Sequence, residues 1–259
     1  MDELVERFVE VNGHPCRVWE KGEGERLGYL AGFVGLPKWT AFLNRLAQHR
    51  RVIVPSLPGF PGAEGHFELD SLMDWVSVTI ELIDAAGLEG ADLVGASVGG
   101  ALAAEVAALA RSQPFKLVLI SPFGIFDETE PVLDLWAQLP GAQHQHLCKN
   151  QEVVEQLIEN PEGEDVVEWQ IQISRANEAA ARLLWPLCDT GIRKRLRHIH
   201  GPTLLIWGSE DKVLPVNYAQ RFAEGIVGKT RIQLIEGAGH LADLDAPDAV
   251  YEAILDFLG

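Results

Sequence analysis

Cysteine is scarce, with only Cys16, Cys148 and Cys188 in 259 residues. An odd, sparse count excludes a disulfide-stapled secreted scaffold and fits reduced thiols, so a cytoplasmic location is expected. Positive charge is equally short. Against 38 Asp and Glu there are 21 Lys and Arg, a formal net charge of −17 that repels phosphate backbones. Nucleic acid and anionic membrane surfaces are therefore not expected as partners. Long hydrophobic runs are missing as well: the most apolar stretch, around 98–110, is interrupted by Glu105 and bounded by Arg111, far from a membrane span. The amino terminus is charged and alternating, without the basic and apolar regions of a signal peptide. Repeats, low-complexity tracts and charge blocks do not occur.

What remains is ordinary globular composition, 47% hydrophobic and 23% charged, enough for one large domain with a real core. Two β-rich runs, 5–11 and 14–20, flank Asn12-Gly13, the pair that best supplies a type I′ turn, so the chain opens with an antiparallel hairpin. Buried-strand and amphipathic-helix patterns then alternate. Strands are expected at 27–32, 51–56, 91–96, 116–121, 202–208 and 231–236, with helices between them and a closing helix from about 246 to 258. Such alternation predicts parallel strands joined by right-handed crossovers. From Pro122 to Gly201 the rhythm breaks and only helical patterns occur, near 131–139, 150–160, 164–185 and 189–199. The expected organisation is a core of 1–121 and 202–259 with a helical cap, 122–201, inserted into it.

One stretch asks for chemistry. In "DLVGASVGGALAAEVAALA" a serine, Ser97, sits between Gly95 and Gly99 where a buried strand gives way to a helix. This is the G-x-S-x-G spacing of a nucleophile elbow, a sharp turn that lifts a hydroxyl clear of the sheet. A helix-capping serine is the plainer reading of those five residues alone. An unassisted hydroxyl is a poor nucleophile, so acyl transfer requires a base, an orienting acid and donors for an oxyanion. In an open α/β sheet these belong at the carboxyl ends of strands. The strand "TLLIWG" is followed by "SEDKVLP", offering Glu210 and Asp211, and "IQLIE" is followed by "GAGH", offering His240.

With "GASVG" at 95–99, "GSEDKVLP" at 208–215, "GAGH" at 237–240 and "PSLPGFPGAEG" at 55–65, nearly the whole chain resembles the α/β-hydrolase superfamily. The resemblance implies a mostly parallel eight-stranded sheet with an N-terminal antiparallel hairpin and a helical cap after the sixth strand. It implies Ser97 as nucleophile, His240 as base and Asp211 as acid, since Gly208 and Pro215 frame Asp211 rather than Glu210. The oxyanion donors would be the backbone N–H groups of Val98 and Phe33. Where the family commonly has His-Gly before the latter, this chain has Ala31-Gly32, which leaves the bracing of that loop open. Serine at the elbow sets aside dehalogenases and epoxide hydrolases, which use aspartate there. Carboxylic esters of small molecules are the first expected substrates, with no cofactor. Carbon–carbon hydrolysis of the meta-cleavage-product type comes second, because those enzymes usually carry tryptophan after the catalytic histidine and here the residue is Leu241. A catalytically silent ligand receptor or scaffold is the alternative of another class. His144 with His146, and His198 with His200, lack the further ligands that a metal site needs. Oligomeric state is not legible, and most cap tryptophans read as packing residues.

Overall fold

The computed structural model describes residues 3–139 and 142–259. The chain opens with strands β1 (Val5–Val11) and β2 (His14–Lys21), paired antiparallel from Val11↔His14 to Val5↔Glu20. Asn12 and Gly13 join them at φ 48° and 76°, the two left-handed conformations that a type I′ turn requires. Strands β3 (Arg26–Leu30), β4 (Arg51–Pro55), β5 (Asp92–Ala96), β6 (Leu117–Ile120), β7 (Thr203–Gly208) and β8 (Thr230–Ile235) complete an eight-stranded sheet in the order β1-β2-β4-β3-β5-β6-β7-β8. All pairings from β4 to β8 are parallel.

The central strands read as unbroken apolar runs because both faces are covered. In β6, Leu117 and Leu119 enter one core while Val118 and Ile120 enter the other; in β7, Leu205 and Trp207 alternate likewise with Leu204 and Ile206. Helices α1 (Ala41–Leu46) and α10 (Pro247–Leu258) pack on the second face through Leu43, Leu46, Val250 and Ile254. Helices α2 (Leu72–Ala85), α3 (Ser97–Leu109) and α8 (Tyr218–Gly225) cover the first through Trp75, Leu102 and Phe222. Helix α2 begins at a full capping box, in which Ser71 and Asp74 each bond the other's backbone N–H.

Between β6 and β7 lies a helical insertion: α4 (His144–Leu147), α5 (Gln151–Ile158), α6 (Val166–Leu184) and α7 (Ile192–Arg195). A helix expected over 131–139 does not form. Asp134 Oδ1 accepts the backbone N–H groups of Trp136 and Ala137 at 2.9 and 3.1 Å, and Leu133 N is drawn to Val213 O at 2.9 Å. A local side-chain turn thus outcompetes the helical ladder. The insertion is pinned to α3 by Arg195, whose guanidinium grips buried Glu105 with two bonds of 2.6 and 2.5 Å. A short helix after β8, α9 (Ala242–Asp245), precedes α10.

Candidate active site

Ser97 is the first residue of α3 and takes φ 51°, a left-handed conformation unusual for a residue with a β-carbon. Its flanking glycines are required by close packing. A β-carbon on Gly99 would lie 2.5 Å from Ala31 O, and one on Gly95 would lie 2.6 Å from both Ala103 Cβ and Gly99 O. The turn therefore holds Ser97 at the carboxyl end of the sheet.

His240 follows β8, and its Nε2 lies 2.8 Å from Ser97 Oγ. On the other side of the ring, Nδ1 lies 3.0 Å from Asp211 Oδ2 in the loop after β7. The second carboxylate oxygen, Asp211 Oδ1, accepts the N–H groups of Val213 and Leu214 at 2.8 and 2.9 Å. An ionised carboxylate only accepts, so the proton between the two residues belongs to His240 Nδ1, and Nε2 presents a lone pair to the serine hydroxyl. The side chains of His240 and Asp211 and the whole of Ser97 have no accessible surface. Phe123 sets its ring edge-on to the imidazole, 5.3 Å between centroids. Glu210 turns outward and pairs with Lys149 Nζ at 2.5 Å.

The loop after β3 passes directly beneath Ser97. A β-carbon on Gly32 would lie 3.5 Å from Ser97 Cβ, and Gly99 N donates to Ala31 O at 3.1 Å. Gly35 N closes onto Gly32 O at 2.9 Å, so Phe33 and Val34 form the middle of a tight turn. Val98 lies in the first turn of α3, where backbone N–H groups have no intrahelical carbonyl. Above the turn, the Phe33 ring meets Trp136 of the insertion at 5.5 Å, while Trp185 is exposed. A cavity of about 200 Å³ adjoins this contact, lined among others by Phe33, His144, Ile173, Ser174 and Asn177. Burial pulls the His144 imidazole below its ordinary range, so its share of that lining is neutral.

Two acidic residues near His240 gave no signal in the sequence. Asp245 accepts the N–H groups of Gly239 and Lys149 at 2.7 Å each and that of Asn150 at 3.0 Å, fastening the histidine loop to the insertion. Asp243 is buried against Tyr29, whose hydroxyl donates to Oδ2 at 2.5 Å, and burial raises both groups above their ordinary ranges. Only contacts spanning the fold reveal either role. Among the described residues, no group of three or more His, Cys, Asp or Glu is arranged to hold a metal. Nor is any helix long and apolar enough to cross a membrane.

A model described as the alpha/beta hydrolase family matches residues 14–253. The chain belongs to this family. Among its curated relatives is the dihydrolipoyllysine-residue acetyltransferase component of an acetoin cleaving system from Pseudomonas putida. That protein is 29% identical over 96% of this chain and 68% of its own length, so the chain spans about two thirds of it. Another, 2-hydroxy-6-oxo-2,4-heptadienoate hydrolase, also from Pseudomonas putida, is 24% identical over 98% of this chain and 96% of that protein. Among solved structures, a serine hydrolase involved in carbazole degradation superposes with a TM-score of 0.75 at 25% identity, covering 99% of each chain. The sheet order, the opening hairpin and the insertion after β6 are those of an α/β hydrolase, and the chain is a hydrolase.

Proposed function

We propose that this α/β hydrolase cleaves small-molecule carboxylic esters through an acyl-enzyme. The observation that carries the reading is the unbroken relay from Ser97 Oγ through His240 to Asp211, at 2.8 and 3.0 Å, with the far carboxylate oxygen saturated by two backbone donors. In the first half-reaction, His240 Nε2 takes the Ser97 proton as Oγ bonds to the carbonyl carbon. The negative oxygen that results is held by the N–H groups of Phe33 and Val98. Collapse expels the alcohol, which leaves with the proton from His240. In the second half-reaction the same nitrogen deprotonates water, which attacks the acyl carbon and releases the acid and Ser97. Each oxyanion donor supplies a factor of roughly 10²–10³. The chemistry closes on side chains and backbone alone and calls for no cofactor.

The cavity beside Phe33 offers amide, hydroxyl and neutral imidazole groups among apolar ones, which suits a short, uncharged acyl or alcohol portion. A second reading, hydrolysis of a carbon–carbon bond, draws support from the relative named as a 2-hydroxy-6-oxo-2,4-heptadienoate hydrolase. Against it stands Leu241 in the place where such enzymes usually carry tryptophan.

The deciding experiment follows p-nitrophenyl acetate and butyrate turnover alongside loss of a dienoate chromophore. Ester turnover that disappears in Ser97→Ala with an unchanged melting curve is the expected result. Near-normal ester hydrolysis by that variant would remove Ser97 from its role, and turnover of the dienoate alone would promote the second reading. A fluorophosphonate that labels Ser97 in the parent protein separates an enzyme from a silent receptor, which would remain unlabelled.

A further inference from the structure

The turn carrying Phe33 follows Ala31, whose methyl group can make no hydrogen bond to brace it. Directly behind it lies a buried arginine. Arg17, on β2, is 8% exposed. Its guanidinium makes no ion pair with a carboxylate among the described residues and addresses two backbone carbonyls and a hydroxyl. Nη2 donates to Leu36 O at 2.7 Å, to Pro61 O at 2.9 Å and to Ser56 Oγ at 3.3 Å. The group lies 3.5 Å over the Trp19 ring, a cation–π contact that fixes its plane. Gly62 makes room for it, since a β-carbon there would stand 2.7 Å from Arg17 Nε. The backbone is tied to the same places: Arg17 N donates to Gly62 O at 2.9 Å and Ser56 N to Arg17 O at 2.8 Å.

These acceptors belong to two loops that leave adjacent strand ends. One runs from Ala31 to Leu36 after β3 and contains the Gly32–Gly35 turn; the other runs from Ser56 to Gly62 after β4. The loops meet at Gly35, where a β-carbon would lie 2.8 Å from Pro61 Cδ. Leu36 directly follows the turn Gly32–Gly35, which holds Phe33 and is closed by the Gly35–Gly32 bond of 2.9 Å. Displacement of the Leu36 carbonyl therefore moves the Phe33 amide. Removing a guanidinium from water is costly, and the nearby carboxylate of Glu6 offsets part of that cost here. Burial correspondingly pulls its pKa down to about 10, which still leaves it charged at neutral pH.

We infer that Arg17 is a positioning residue for the oxyanion site: by clamping the Leu36 and Pro61 carbonyls it sets the Phe33 N–H at the point where negative charge develops on the substrate. The inference rests on the proposed esterase mechanism. It assigns to β2 a bracing role that the side chain at position 31 cannot perform.

The test compares Arg17→Met and Arg17→Lys with the parent protein, using p-nitrophenyl butyrate and a trifluoromethyl ketone, which adds to the serine as a tetrahedral oxyanion. Misplacement of a donor by a fraction of an ångström to 1 Å predicts a fall in kcat of about 10- to 100-fold for Arg17→Met. KM should stay within about twofold, since ground-state binding does not use the oxyanion donors. Ketone affinity should fall by the same factor as kcat/KM, the shape of the kcat/KM pH profile should not change, and Arg17→Lys should recover part of the loss. Melting curves identify any variant that fails to fold, in which case Arg17→Lys carries the comparison. Unchanged kcat in a folded variant, or lost kcat with undiminished ketone affinity, overturns the assignment. A parent protein inert toward esters and unlabelled at Ser97 sinks the esterase mechanism and this inference together, whereas an active parent with indifferent Arg17 variants sinks this inference alone.

Discussion

Replacing Asp211 by asparagine exchanges one oxygen for an NH₂ group at nearly constant volume, and the surrounding backbone dictates which way the amide faces. Oδ1 receives the N–H groups of Val213 and Leu214 at 2.8 and 2.9 Å. Turning the NH₂ toward them would leave two buried donors unsatisfied at about 1–3 kcal/mol each. The amide oxygen therefore stays on the loop, and the NH₂ faces His240 Nδ1, which must then accept. An imidazole accepting at Nδ1 carries its proton on Nε2, pointed at Ser97 2.8 Å away, and it cannot take a second one from the hydroxyl. With the geometry intact and the tautomer inverted, kcat should fall by about 10⁴, the loss known when the acid of a serine triad becomes an amide. That factor is about 5.4 kcal/mol of transition-state stabilisation. Initial rates on p-nitrophenyl butyrate at pH 8, beside a thermal melt, measure both quantities. A kcat within tenfold of the parent at unchanged stability would refute the tautomer argument.

Gly99→Ala should lower the urea unfolding free energy by about 1–3 kcal/mol and cut activity sharply. The added methyl meets the fixed backbone oxygen Ala31 O at 2.5 Å; a parental midpoint would contradict this. Arg195→Met leaves Glu105, 2% exposed, without its counterion, for an expected loss of about 3–5 kcal/mol; denaturant titration showing less than about 1 kcal/mol would count against the clamp. Burial holds the Asp243 carboxyl above its ordinary range. Its folded-state proton is therefore retained where the unfolded chain, at about 3.9, has released its own. The stability it contributes is full below about 3.9 and is lost as the pH rises through the folded-state value. The stability difference between the parent and Asp243→Asn should accordingly shrink from pH 4 to 7 in denaturant titrations, and a difference independent of pH would oppose this.

Local pattern carried much of the architecture. Parallel strands covered on both faces are apolar along most of their length, so 93–96, 117–120 and 204–207 stand out as short apolar runs, and Asn12-Gly13 marks the opening turn by its dihedral preference alone. The three relay residues lie at strand ends beside glycines, where residue type and position coincide. Pattern failed where side chains act across the fold or against the backbone. Asp134 captures two nearby N–H groups and unmakes a helix that the periodicity of 131–139 favours. Tyr29 and Asp243 are 214 residues apart, so neither forecasts the other. Arg17 reads as one more polar residue of an alternating strand, since the carbonyls it serves lie 19 and 44 residues further along.

The sealed condition of the relay, with no accessible surface on the Ser97 residue or on the His240 and Asp211 side chains, bears on more than substrate entry. Reagents arrive only during excursions of the surrounding chain, so second-order rates are scaled by the fraction of time spent ajar. Water for deacylation obeys the same limit. On the proposed mechanism an acylated serine waits beneath that covering, and an alcohol held there with it competes with solvent on terms set by residence time rather than bulk concentration. The partition between hydrolysis and acyl transfer is then a property of the covering, not of the relay beneath it.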